Sequence, residues 1–176
     1  MFIFLCICLY LYRCEFCERY TNSNEREKKL LIQEREDHKA NKTLARQWAR
    51  ESKEEAASDP SIVVIHFDLQ KVLSTPRCQV SNLYYMSKLT VYNLTFYNLE
   101  SCSGTCNVWN ETIARRGSNE IASLLINHLQ DIISKNAGIK EIRTVSDNCG
   151  GQNRNQNVFT MMLRFAVLHN VKITHR

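Results

Sequence analysis

The chain has 176 residues, a formal net charge of +5, 44% hydrophobic residues, five glycines and two prolines. This length suits one domain with an appendage, and so few glycines and prolines exclude collagen-like and Pro/Gly-rich disordered chains. The charge is uneven, because residues 13–60 hold eleven basic and eleven acidic side chains, whereas residues 61–176 hold twelve basic and seven acidic ones. The basic surplus therefore belongs to the second segment, where it favours an anionic partner.

The N-terminal residues 1–12, MFIFLCICLYLY, are entirely apolar or aromatic. A membrane-spanning helix needs about 20 such residues, and a secretory signal carries basic residues before its apolar run and a small-residue cleavage site after it. We interpret the segment as a buried strand or an incorrectly assigned start, with a weak signal or anchor as the alternative. The eight cysteines lie in a chain too long and too charged for a disulfide-stapled scaffold. An intracellular location is therefore expected, with the nucleus as one candidate compartment and no membrane partner.

Cys14 and Cys17 form a Cys-x2-Cys pair just ahead of a charged segment. Such a pair presents two thiolates to one zinc ion, and a closed zinc site needs four ligands. No second pair lies at standard finger spacing, so ordinary reduced thiols are the alternative. The candidates for the remaining ligands are Cys102 and Cys106, and His38 and His66 are less favoured candidates.

Residues 24–58 are rich in Glu, Lys, Arg, Ala and Gln and almost free of helix breakers. This composition predicts one long, solvated helix. Ser23 is the predicted N-cap, although Arg26 stands where a capping box would have Glu or Gln. Asp59-Pro60 ends the helix and marks the boundary between segments 13–60 and 61–176.

Beyond Pro60 the pattern changes to β-branched runs alternating with amphipathic stretches. Three early strands predict an antiparallel meander, and the later strands enter through helical crossovers. The order β-β-β-α-β-α-β predicts an α/β domain with a mixed sheet and an RNase H-like fold, although other α+β folds share such an order. The predicted strands are 61–68, 89–97, 105–113, 139–146 and 171–174, and the predicted helices are 119–136 and 152–168.

Two acids stand at unusual positions: Asp68 ends an apolar strand, and Asp147 follows the fourth predicted strand. In an RNase H-like sheet these two strands are neighbours, so the carboxylates would face each other and repel unless a cation lay between them. Mg²⁺, or Mn²⁺ in its place, is the natural occupant of such an oxygen site. Each acid also has a purely structural interpretation, as a turn or cap residue. The predicted phosphate-facing rim consists of Gln70, Lys71, Asn148, Gln152, Asn153 and Arg154.

Four motifs carry a resemblance to a known family: FDLQKVLSTP at 67–76, the strand around Trp109, RGSNE at 116–120 and SDNCGGQNRN at 146–155. Over about residues 14–176 the chain resembles a family of transposon-derived eukaryotic domains related to the RNase H-like DDE transposases. The resemblance implies an ancestral metal-dependent cleavage and strand transfer of DNA. It also implies that Asp68 and Asp147 are the first two metal-binding acids.

The third acid of that family follows the fifth strand, whereas this chain ends at Arg176. We therefore expect a domain that is incomplete at its C-terminus and inactive by itself, so whether it is an enzyme stays open. The alternative is a non-catalytic module that binds nucleic acid or protein. Nothing in the sequence indicates a small-molecule substrate or an oligomeric state.

Overall fold

The computed structural model describes residues 14–77, 80, 82, 85–147, 149, 153 and 155–176. The predicted segment 1–12 lies outside them. The chain divides into two compact units between Arg50 and Glu51. In the described residues the first unit is helical, and the second contains a mixed α/β sheet.

Between residue 14 and the sheet the structure contains three helices: α1 spans Glu15–Asn22, α2 spans Glu25–Leu30 and α3 spans Ile32–Ser58. The division between the two units falls inside α3, earlier than the boundary predicted at Pro60. The long charged helix is confirmed by α3. The predicted start at Ser23 is wrong.

The N-cap of α2 is Asn24, and its side chain accepts a hydrogen bond from the Glu27 amide at 3.0 Å. The Glu27 carboxylate accepts one in return from the Asn24 amide at 3.1 Å. This reciprocal pair is a capping box shifted by one residue from the predicted cap. The helix is then interrupted at Leu31, whose amide is shared between the carbonyls of Glu27 and Lys28.

The second unit contains a six-stranded sheet in which β1 is central. It pairs antiparallel with β3 on one side and parallel with β5 on the other, and β6 extends the parallel half beyond β5. The antiparallel half is completed by β2 and β4, which both pair with β3. The strands are β1 Ile62–Leu69, β2 Leu73–Thr75, β3 Leu89–Asn98, β4 Ser103–Asn110, β5 Glu141–Val145 and β6 Lys172–His175.

The short strand β2 continues β1 along the same partner, β3. The pairing of Leu69 with Leu94 is followed by that of Leu73 with Val91, so four residues on one strand face three on the other. One extra residue in a ladder is a β-bulge, which bends the strand and redirects the side chains beside it. The bulge therefore lies between Leu69 and Leu73, one residue beyond Asp68.

Two helices pack on one face of this sheet: α4 spans Ser118–Lys135 and α5 spans Gln156–His169. Alternate residues of β1 point toward them, because successive strand side chains face opposite ways. The core that forms between the helices and the sheet includes Val63, Ile65, Phe67, Leu94, Phe96, Ile121, Leu125, Leu129, Ile142, Val158, Met162 and Phe165.

The opposite face of the sheet meets the end of α3 within the second unit. Val64 is fully buried on that face, and its neighbour on β5 is Arg143. The Arg143 guanidinium lies 2.6 Å from the Glu55 carboxylate and 2.8 Å from that of Glu141, and it donates to the Ser52 hydroxyl at 3.2 Å. These contacts fix the last turns of α3 against β5.

The predicted mixed α/β class is confirmed, and so is the placement of the first and fourth predicted strands side by side. The sequence prediction missed the short strand β2. The third predicted strand ends at Asn110 rather than at 113, because the Asn110 side chain accepts a hydrogen bond from Thr112 N–H and turns the chain. The last predicted helix begins at Gln156 rather than at 152, since Asn155 caps it by accepting from the Val158 amide.

No helix among the described residues is both long enough and apolar enough to cross a bilayer.

The packing of α4 gives a stability prediction. Leu125 is 1% exposed in the core, whereas Leu163 is 67% exposed on α5. Leu125→Ala leaves a cavity and should lower the free energy of unfolding by about 2–5 kcal/mol. Leu163→Ala, the matched control, should change it by no more than about 0.5 kcal/mol. Urea unfolding followed by circular dichroism measures both, and equal effects would contradict the assigned core.

Candidate functional site

Asp68 and Asp147 lie at one edge of the sheet. The parallel ladder between β1 and β5 pairs His66 with Val145, and two residues further along each chain are Asp68 and Asp147. Parallel strands end at the same edge, so the two acids come together although 78 residues separate them in the sequence. Both residues are exposed to solvent. The structure thus brings together the pair that the sequence singles out.

The Asp68 carboxyl interacts with the Asp147 carboxylate. The pKa of Asp68 is raised above its usual value, first by partial burial of the carboxyl and then by the negative charge of Asp147. A hydrogen bond from the Leu69 backbone acts in the opposite direction. A pair of carboxylates in this relation gains from a cation placed between them, because the cation removes the repulsion.

Asp147 is held in place by the start of the following loop. The Asn153 side-chain amide donates a short hydrogen bond to Asp147 Oδ1, which also accepts from the Cys149 backbone N–H at 3.4 Å. Asn153 is fully buried, and its backbone N–H donates to the Cys149 carbonyl at 2.9 Å. The side-chain oxygen of Asn153 has no hydrogen-bond partner among the described residues.

Asn153 therefore has a different position from the one predicted. The sequence places it on a phosphate-facing rim, but a side chain with no exposed surface does not meet a phosphate in solvent. Its amide instead orients the Asp147 carboxylate, so it is a positioning residue.

Gln70 and Lys71, also predicted for the rim, are exposed in the segment between β1 and β2. The Gln70 side-chain oxygen accepts a hydrogen bond from the Asn93 amide at 3.0 Å, and the Gln70 backbone N–H donates to the Asn93 carbonyl at 2.9 Å. These bonds tie the bulge to β3, beside Asp68. The other three predicted rim residues, Asn148, Gln152 and Arg154, lie outside the described residues.

Sequence reasoning missed His175, at the end of β6. Its Nδ1 lies 2.9 Å from the Thr144 hydroxyl and its Nε2 lies 3.5 Å from the Ser146 hydroxyl. Its ring stacks on Phe67 with centroids 5.9 Å apart. Burial lowers the pKa of His175 and so favours its neutral form. The sequence indicates only that His175 follows the fifth predicted strand, and this position does not show which side chains it contacts.

A second group of side chains lies in the first unit, where Cys14 and Cys17 both approach His38. Each Sγ is 3.4 Å from His38 Nε2. Cys14 stands at the N-cap of α1, Cys17 lies within α1 and His38 lies in α3. All three residues are partly exposed. Of the two histidines that the sequence offered as further ligands, His38 is the one near the thiols.

The remaining candidate zinc ligands do not join that group. Among the residues that the structure describes, Cys14, Cys17 and His38 are the one cluster of three metal-ligating side chains. Cys102 lies in the turn between β3 and β4, and Cys106 on β4 contacts the Thr95 hydroxyl. His66 is on β1, and its Nε2 is buried with no hydrogen-bond partner in the described part of the chain. Burial lowers the pKa of His66.

Known proteins give no comparison for this arrangement, since no protein-family model, no curated protein and no solved structure matches the chain. The functional argument therefore rests on the geometry. Two carboxylates at a sheet edge, one of them oriented by a buried amide, can hold a hard divalent cation in contact with solvent.

The carboxylate pair gives a titration prediction. Asp147→Asn removes a negative charge, so the pKa of Asp68 should fall toward its ordinary value in the metal-free protein. Asp131→Asn, an exposed acid paired with Lys135, should leave it unchanged. NMR titration of the Asp68 carboxyl carbon measures both. An identical Asp68 titration in the wild type and in Asp147→Asn would contradict the electrostatic contact.

The raised pKa of Asp68 also makes the stability of the folded chain depend on pH. Because the Asp68 pKa is raised in the folded state, folding favours its protonated form, and stability is lost as the pH rises from the ordinary carboxyl pKa through the raised one. Asp147→Asn should reduce this loss in the absence of metal. Thermal unfolding at pH values below and above this range measures the difference.

Proposed function

We propose that residues 61–176 form a transposase-derived, RNase H-like domain that binds Mg²⁺ or Mn²⁺ between Asp68 and Asp147 and, through the ion, a DNA phosphodiester. The observation that carries the proposal is the parallel register of β1 and β5, which sets the two acids side by side. Cleavage and strand transfer of DNA would be the ancestral reaction of such a domain.

The strand arrangement supports the fold part of the proposal. An RNase H-like sheet has three antiparallel strands followed by two that run parallel to the first. Here β1, β3 and β4 form the antiparallel meander, and β5 and β6 follow in parallel beside β1. The helix α4 connects β4 to β5, and α5 connects β5 to β6. Each helix thus joins two strands that run in the same direction, as crossover connections do.

The residues at the edge fit a magnesium ion. Mg²⁺ takes oxygen ligands, usually one or two carboxylates, and keeps several positions for water and phosphate oxygens. Asp68 and Asp147 supply the two carboxylates, and Asn153 limits how far the Asp147 carboxylate can turn. A bound divalent ion would neutralise phosphate charge and lower the pKa of a coordinated water.

The chain's own residues would divide the remaining work. Asp68 and Asp147 supply the negative charge of the site, and Asn153 orients the Asp147 carboxylate through a hydrogen bond. Lys71, exposed in the bulge that follows Asp68, supplies a positive charge close to where a phosphate would lie. Two acids fix a single ion, whereas phosphoryl transfer by two ions needs more ligands. We therefore propose metal-dependent DNA binding, rather than turnover, as the activity of this chain.

Metal affinity tests the site directly. Mn²⁺ titrated into the full chain by calorimetry should bind, and Asp68→Asn or Asp147→Asn should each weaken the affinity more than about 10-fold, since each removes one of two charged ligands. Asp131→Asn is the matched control and should bind Mn²⁺ as the wild type does. Unchanged affinity in Asp147→Asn would show that the site is assigned wrongly.

DNA binding tests the function. In fluorescence anisotropy with a duplex oligonucleotide, affinity at fixed ionic strength should be higher with Mg²⁺ than with a chelator. Asp147→Asn should abolish that difference, and without metal it should bind DNA at least as well as the wild type, because it removes a negative charge near the phosphates. Equal affinity under both conditions in the wild type would contradict a metal-bridged phosphate.

A second candidate function, a non-catalytic module that binds nucleic acid, is supported by the charge of residues 61–176. Their twelve basic and seven acidic side chains give a surplus without any metal. DNA binding by charge alone weakens steeply with salt and does not depend on divalent ions. A steep salt dependence with no effect of Asp68→Asn would favour this second function over the first.

A further inference from the structure

We infer that Cys14, Cys17 and His38 bind one Zn²⁺ ion, and that this ion fastens α1 to α3 in the first unit. The site is separate from the proposed phosphate site and uses different chemistry. Its three ligand atoms all lie within 4.8 Å of one another.

The ligand spacing matches zinc without rearrangement of the helices. Zn–S bonds of about 2.3 Å and Zn–N bonds of about 2.0–2.1 Å at tetrahedral angles place the sulfur and nitrogen ligands about 3.6 Å apart. The two Sγ–Nε2 distances here are each 3.4 Å. A hydrogen bond would account for one such contact. Two sulfur atoms at the same distance from one ring nitrogen are also the arrangement that ligands of a shared ion have.

The way in which the backbone presents the ligands also suits a metal. Cys14 and Cys17 stand three residues apart at the first turn of α1, which places both thiols at one end of the helix. His38 approaches them from α3, and its ring lies against Phe16 with centroids 5.3 Å apart. The described residues supply three protein ligands, one fewer than a closed zinc site has.

Among the described residues 14–50, few other contacts hold α1 and α3 together. None of the described side chains from Cys14 to Arg50 is buried. The other contacts between α1 and α3 are exposed or half-exposed: Arg35 lies over the Tyr20 ring at 4.3 Å, and Arg19 pairs with Glu34 at 3.4 Å. Such contacts contribute little in water. A metal that binds only the folded arrangement would supply the missing stabilisation.

The first test is zinc content. The full chain, expressed without a polyhistidine tag and dialysed, should retain about one zinc per chain by mass spectrometry, as expected for one site. Cys17→Ser and His38→Asn should each lose it. Cys102→Ser and His169→Asn, which change exposed residues of the second unit, should retain it. Zinc retained by both ligand variants would overturn the assignment.

A second measurement does not depend on variants that could fail to fold. Co²⁺ added to the reduced, metal-free wild type should give thiolate-to-cobalt charge-transfer absorption that saturates at one equivalent and disappears when zinc is added. Chelation should lower the helical circular dichroism and speed proteolysis within residues 14–50, and zinc should reverse both. No charge-transfer band, or a Cys14–Cys17 disulfide in protein prepared with zinc, would contradict the site. Because Asp68 and Asp147 are intact throughout, failure here would leave the Mn²⁺ result untouched.

Discussion

The parallel pairing of β1 with β5 is the constraint on which the second unit depends. β1 is buried on both faces where it meets β5, with Ile65 toward α4 and α5 and Val64 toward the end of α3. A slip of one residue would turn both sets of side chains to the wrong face, so the register is strongly determined. The same register carries Asp68 and Asp147 to adjacent positions at the edge of the sheet. The register that packs the core therefore also fixes the positions of the two acids.

The acids can be exposed at that edge because their neighbours are fixed from within. The β-bulge beyond Leu69 is tied to β3 through the paired side chains of Gln70 and Asn93, and the Asp147 carboxylate accepts a hydrogen bond from the Asn153 amide. Both asparagines are buried, and each leaves a side-chain oxygen without a hydrogen-bond partner among the described residues. Such groups are unfavourable to bury.

Much of this could be predicted from the sequence, for identifiable reasons. Central strands such as β1 are continuous apolar runs, and their pairing follows from chain order once helices separate them. The start of α2 is also encoded in the sequence, although the prediction places it at Ser23, because Asn24 and Glu27 have the spacing of a capping box. The burial of Asn153 depends on tertiary contacts, which a residue pattern does not encode. The position of His38 near the thiols depends in turn on how α1 packs against α3.

The two proposed ion sites differ in chemistry in a way that keeps them independent. Thiolate and imidazole ligands select zinc over magnesium, whereas carboxylates open to water suit Mg²⁺ and Mn²⁺. Mg²⁺ would not displace zinc from Cys14, Cys17 and His38, because a hard ion that dehydrates reluctantly gains little from sulfur. Zinc could in contrast enter the carboxylate pair, since nitrogen, sulfur and oxygen sites alike bind it more tightly than Mn²⁺. Excess zinc would therefore occupy both sites. The affinity of Asp68 and Asp147 for Mn²⁺ is informative only when zinc is limited to one equivalent per chain.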